Sequence, residues 1–160
     1  MKIAQIRSGG QTGVDRAALD AAKDMRIPIC GWCPKGGWAE DLPEPRGLLT
    51  EYPELIETGS ENVGQRTEFN VRDSDATLII VSGQNDISSG TALTIEIAKQ
   101  YKRPYFVADA GRITAGEIAE WLSTLGDDLT LNVAGPRESK SPGIYDKSCK
   151  LLKELLATRL

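Results

Sequence analysis

The 160-residue sequence predicts an α/β fold, a single Rossmann-like domain over residues 1–160 with a doubly wound, mostly parallel sheet and helices on both faces. Strand-like and helix-like segments alternate along the whole chain. Several strand segments, such as "ATLIIVS" at 76–82, are near-continuous apolar runs, the pattern of strands covered on both faces. The length suits one well-buried domain and is short for two.

The elements follow in order. An apolar strand at 2–7 runs into "SGGQTG" and then a helix at 13–25, whose Val14, Ala17, Ala18, Ala21, Ala22 and Met25 share one face. Alanine on that face predicts close packing against the sheet. A strand at 27–31 leads into an irregular stretch, 32–53, too long for a plain connector and of the length that loops with functions often have. Strands are expected at 54–58, 76–82, 104–108 and 129–134, and helices at 61–74, 89–102, 114–125 and 143–158. The last helix gathers Ile144, Leu151, Leu152, Leu155 and Leu156 on one side. The first strand and the fourth, 76–82, are expected to be neighbours at the centre of the sheet, with ligands at the strands' carboxyl ends.

Composition narrows the chemistry. Hydrophobic residues make up 40% and charged residues 26%, the balance of a soluble globular protein. Net charge is −4, without a lysine–arginine block, so neither nucleic acid nor an anionic membrane is an expected partner. No apolar run approaches a membrane span and the first ten residues lack a signal-peptide core, so a cytoplasmic location is expected. Histidine is absent, which removes the commonest general base and the commonest metal ligand. Three cysteines are too few for a four-cysteine zinc knuckle, and "CGWC" (Cys30, Cys33) is followed by Pro34 rather than a helix that would activate a dithiol.

Three Gly/Ser/Thr-rich segments fall at the same end of the predicted sheet. In "SGGQTGVD", Gly9, Gly10 and Gly13 allow positive φ and close backbone approach, and free N–H groups at the start of the following helix attract an anion. The segment is neither G-x-G-x-x-G nor a P-loop, because no lysine follows Gly13 and no acidic residue ends the second strand. A tight packing turn would also account for the glycines. In "SSGTALT", Ser88, Ser89, Gly90 and Thr91 form a second cluster of donors, and Ser88 or Ser89 equally suits a helix cap. Arg137 in "AGPRESKSPG" can grip a phosphate in bidentate fashion. Arg66, Asn70 and Asp73 form one polar stripe at i, i+4 and i+7, facing cleft or water. Trp32 and Trp38 could stack on a heterocycle or pack at a subunit interface.

On the segments "SGGQTGVDRAALDAA", "GWCPKGGWAEDLP", "RTEFNVRDSDATLI", "SSGTALT" and "LNVAGPRESKSPGIY", the chain resembles the putative molybdenum carrier family. That family is related to the lysine-decarboxylase-like phosphoribohydrolases and to the DNA-processing protein DprA. The resemblance implies an oligomeric, single-domain protein with a phosphate-bearing ligand, the molybdenum cofactor by the family's name. The phosphoribohydrolases carry P-G-G-x-G-T-x-x-E. Here Gly90 and Thr91 match, but Thr94 stands in place of the glutamate and Glu96 comes two residues late, on another helix face.

These readings combine into an expected carrier of a phosphorylated pterin- or nucleotide-like ligand, or of an oxyanion. Gly9, Gly10, Gln11, Thr12 and Gly13 would face Ser89, Gly90 and Thr91, with Lys35 and Arg137 supplying charge and Asp41, Asn70 and Asp73 hydrogen-bonding ring or sugar groups. The alternative is a nucleoside-monophosphate N-glycosidase, in which Asp73 or Glu96, or else Asp15 or Asp41, would be the catalytic carboxylate.

Overall fold

A strand buried at all of its positions must be covered on both faces, and Ala76–Val81 is such a strand. The computed structural model describes residues 2–83 and 89–158. Along the chain run β1 (Ile3–Arg7), α1 (Val14–Asp24), β2 (Ile29–Cys30), β3 (Trp32–Cys33), a 3-10 turn at Lys35–Gly37, α2 (Leu48–Glu51) and β4 (Ile56–Glu57). They are followed by α3 (Val63–Arg72), β5 (Ala76–Val81), α4 (Ser89–Gln100), β6 (Tyr105–Asp109), α5 (Ala115–Ser123), β7 (Leu129–Ala134) and α6 (Ile144–Ala157).

Five strands form one all-parallel sheet in the order β2-β1-β7-β5-β6. This corrects the expected pairing of the first strand with 76–82. The last strand in sequence, β7, lies between them, with Leu131 opposite Ile6 on one side and Ala76 on the other. Strand periodicity reports which faces are buried but not which strands pair, so β7 could take that place unannounced. The segment 54–58 also departs from expectation. Its β4 pairs with β3 in a separate two-stranded parallel sheet, and both its residues are exposed, Ile56 by 58%. β4 itself, Ile56–Glu57, has one apolar residue and cannot supply the two buried faces that a place in the main sheet demands.

α1, α5 and α6 cover one face, where Ile6, Leu78, Ile80, Leu131 and Val133 meet Val14, Ala17, Ala21, Ile118, Leu152 and Leu155. The alanine face of α1 lets α6 lie close against it, and the two make the most extensive helix contact of the fold. α3 and α4 cover the other face around Val71, Ile97 and Ala98. The stretch 32–53 is anchored, not loose: Leu48, Tyr52 and Leu55 pack with Leu19 of α1 and with Cys33. No helix among the described residues is long and apolar enough to cross a membrane.

Candidate functional site

The carboxyl ends of β1, β7 and β5 open between α3 and α4 into a cleft. Its inner part, about 70 Å³, is lined by Gly9, Asp15, Arg66, Asn70, Thr91, Thr94, Asn132 and Gly135. An outer part of about 180 Å³ shares Arg66, Thr67, Gly90, Thr91 and Gly135 and adds Gln11, Val63, Leu93, Arg137 and Lys140.

Arg66 organises the floor. From the middle of α3 it reaches β1's loop and donates to Asp15 at 2.7 Å, with both side chains largely buried. Gly9 makes room for it, since a Cβ there would lie 1.9 Å from Arg66 Nη1. Burial raises the Asp15 pKa, against Arg66 and against backbone N–H groups of Gln11 and Gly135 that favour the ionised form. Arg66 Nε is buried with no hydrogen-bond partner among the described residues. A buried guanidinium N–H without an acceptor is costly, and this one belongs to a side chain that lines the cleft.

"SGGQTGVD" is divided between two surfaces. Gly9 and Gln11 line the cleft, whereas Thr12 and Gly13 line a separate groove with Arg16, Asp20, Asp41 and Tyr145. Gly10 is engaged internally, its N–H donating to Ser8 Oγ and its carbonyl accepting from Arg16. Of the first turn of α1, Asp15 reaches the cleft and the leading N–H does not. Val14 N–H donates to the Pro136 carbonyl, and Gly13, at φ 78°, has no space for a Cβ, which would meet that oxygen at 2.3 Å. Gln11 Oε1 accepts from the N–H groups of Thr12 and Glu40 at 3.0 Å each.

Glu40, a residue the sequence reading passed over, ties these loops together. Its carboxylate accepts from the Thr12 hydroxyl and from the N–H and hydroxyl of Ser139, and lies 3.7 Å from Arg137. Burial works against its charge, but these donors and Arg137 outweigh it and lower its pKa. The other helix N-termini nearby are also occupied: Asn62 caps α3, and Glu138 accepts from the N–H groups of Gly143 and Tyr145 at the start of α6. α4 presents Gly90 and Thr91 of its first turn to both parts of the cleft. Ser89 is the first residue of that helix, and Ser88 lies outside the described residues.

Of the polar stripe, Arg66 and Asn70 turn inward, whereas Asp73 is exposed just past the end of α3. Asn70 is buried and spans the Trp32 backbone, accepting its N–H at 2.8 Å and donating to its carbonyl at 2.9 Å. Asp73 accepts from the Trp32 indole at 2.9 Å, and the Arg72 guanidinium beside it holds its carboxyl below the usual range. Asp41 is bound by Arg16 through two bonds of 2.8 Å, which depress its pKa likewise. Glu96 is exposed on α4, while Thr91 and Thr94 of the same helix are buried. Thr94 donates to the Gly90 carbonyl at 2.9 Å. Lys35 lies apart, on a groove with Trp38. Among the described residues lining the cleft, Asp15 is the one carboxylate, facing Arg66, Arg137 and Lys140.

Asn132 was legible in principle: it is the one amide in the apolar run "LTLNVA", and a buried amide in such a strand marks a polar neighbour. Here that neighbour is Thr77, 3.3 Å away. The cysteines are free, and no cluster of three or more metal-ligating Cys, Asp or Glu side chains occurs among the described residues. Burial, with Glu57 adding to it, pushes the Cys33 thiol up to about 11. Iodoacetamide at about pH 8 should therefore leave Cys33 unmodified in the native protein and label it after denaturation. Labelling of native Cys33 at the rate of a free thiol would contradict this.

Residues 6–156 match the circularly permutated YpsA SLOG family. Among solved structures, the chain is similar to the crystal structure of "Putative molybdenum carrier protein" from Syntrophus aciditrophicus SB. The two are 43% identical over 97% of this chain and 96% of that chain, with a TM-score of 0.85. No curated protein matches the chain.

Proposed function

The chain belongs to the circularly permutated YpsA SLOG family, and on that premise we propose that it is a binding or carrier protein for a small anionic ligand. Its cleft would hold the phosphate of a pterin- or nucleotide-like molecule, or an oxyanion such as molybdate. The observation that carries this reading is the unpartnered Arg66 Nε in a cleft whose other charges are Arg137, Lys140 and an already paired Asp15. Guanidinium and backbone N–H groups are donors for tetrahedral oxyanions. The same donor set suits the anionic end of the molybdenum cofactor, as cargo, better than it suits direct coordination of a metal. The inner cavity, about 70 Å³, has room for such an end and not for a fused ring system. The similar crystal structure's name supports molybdenum-related cargo.

Among the candidate carboxylates, Asp41, Asp73 and Glu96 favour a carrier over a glycosidase, and Asp15 is already committed to an ion pair. Asp73 and Asp41 are held ionised by arginines, Glu96 is exposed, and Asp15 is engaged by Arg66. Of these, Asp15 lines the cleft with a raised pKa, and its contact with Arg66 leaves it paired there.

Thermal-shift titrations with molybdate, phosphate and AMP test the reading. A ligand at a hundred times its Kd adds about 2.7 kcal/mol to stability, a rise of about 5–10 °C for a chain of this size. Arg137→Ala should weaken that response. No shift with any of the three, or release of adenine from AMP, would overturn the proposal.

A further inference from the structure

The cleft has a larger neighbour. A groove of about 920 Å³ is lined by Lys35, Trp38, Pro43, Pro45, Asn62 and Val63, among others. Two residues connect it to the cleft. Val63 lines both, and Arg137, which lines the cleft, lies over the Trp38 ring at 5.9 Å from its centroid. We propose that Trp38, with Pro43, Pro45 and Val63, is the platform for a planar heteroaromatic group whose phosphate sits in the cleft; this rests on the reading above.

Four observations lead there. The two tryptophans of the segment have separated roles. Both are half-buried, but Trp32 is engaged within the fold, its indole donating to Asp73 and its ring edge-on to Phe69 at 5.3 Å, whereas Trp38 lines the groove. Val63 and Leu93 are large apolar residues exposed by 36% and 39%, and both stand at the mouth of the cationic cleft. An apolar rim around a cationic floor suits a molecule with an apolar body and an anionic end. The groove is also preformed, because the segment that builds it is anchored by Leu48 and Tyr52 in the core. Its charges, Lys35 and Arg46 against Glu57 and Glu61, balance, which fits a neutral ring and leaves net positive charge to the cleft. A bare oxyanion would leave this surface unused.

Affinities for inorganic phosphate, AMP, adenosine and neopterin monophosphate, measured by calorimetry on wild type, Trp38→Leu and Val63→Ser, decide the matter. At least one of the two phosphorylated heterocycles should bind wild type tenfold or more tighter than phosphate. Stacking on one aromatic side chain contributes roughly 5- to 150-fold in affinity, so Trp38→Leu should remove most of that advantage and leave phosphate affinity within about twofold. Val63→Ser should shift the same ratio in the same direction, and ring binding should quench wild-type tryptophan fluorescence. The inference is overturned if neither heterocycle exceeds phosphate, or if both variants keep the wild-type ratio. Trp38-dependent binding of adenosine without any binding of phosphate would uphold the platform and remove the anion site of the proposed function.

Discussion

Arg66→Met should cost about 3–5 kcal/mol of folding stability, the loss that follows when one partner of a buried ion pair is removed and the other stays buried. For a chain of this length that is a fall in Tm of roughly 6–20 °C. The cause is Asp15, which is 4% exposed and depends on the 2.7 Å contact from Arg66. Replacing both charges, in Asp15→Asn/Arg66→Met, should recover much of the loss, because no unpaired charge then remains. Equal instability of the single and double variants would assign the effect to packing instead.

The loss should also depend on pH. Burial already raises the Asp15 pKa from 3.8, and deleting Arg66 removes the strongest influence opposing that rise. A folded state that holds this proton more tightly than the unfolded chain loses stability as pH climbs from the ordinary value through the raised one. The deficit of Arg66→Met against wild type should therefore be small at about pH 4.5 and full at about pH 8 in urea titrations. A deficit constant across that range would show that Asp15 is not its source. Anion binding should be lost in the same variant.

Asn70→Leu should cost about 2–4 kcal/mol, because two backbone groups lose their partners and each buried orphan costs about 1–3 kcal/mol. The side-chain amide stands in for a neighbouring strand, satisfying both the N–H and the carbonyl of Trp32. Leucine keeps the volume and removes the pairing. Hydrogen exchange gives the specific readout: the Trp32 amide should exchange faster in the variant under conditions where the β5 amides remain protected. Unchanged protection at Trp32 would show that Asn70 is dispensable to β3. It would then be free for a ligand, as the sequence alone suggested.

Local patterns were legible from residues alone. The apolar runs at 76–82 and 129–134 foretold β5 and β7, and the alanine face of α1 foretold close packing on the sheet, though its largest contact is with α6. Gly, Ser, Thr and isolated charges at the ends of strands pointed to the end of the sheet where the cleft lies. Three short pieces, β3, the 3-10 turn and α2, were hidden in 32–53 because two to four residues carry too little periodicity to announce themselves.

The sequence by itself determined the class of fold, the absence of histidine chemistry and the supply of anion donors, since these depend on composition and local order. Tertiary structure decided which donors meet. It put β7 between β1 and β5, turned Thr12 and Gly13 away from Gly9, and covered α1's N-terminus with Pro136. It also brought Arg66 to Asp15 from 51 residues away. Pairing across such distances is selected by the burial and hydrogen-bond satisfaction of the whole molecule, and no local window contains that information.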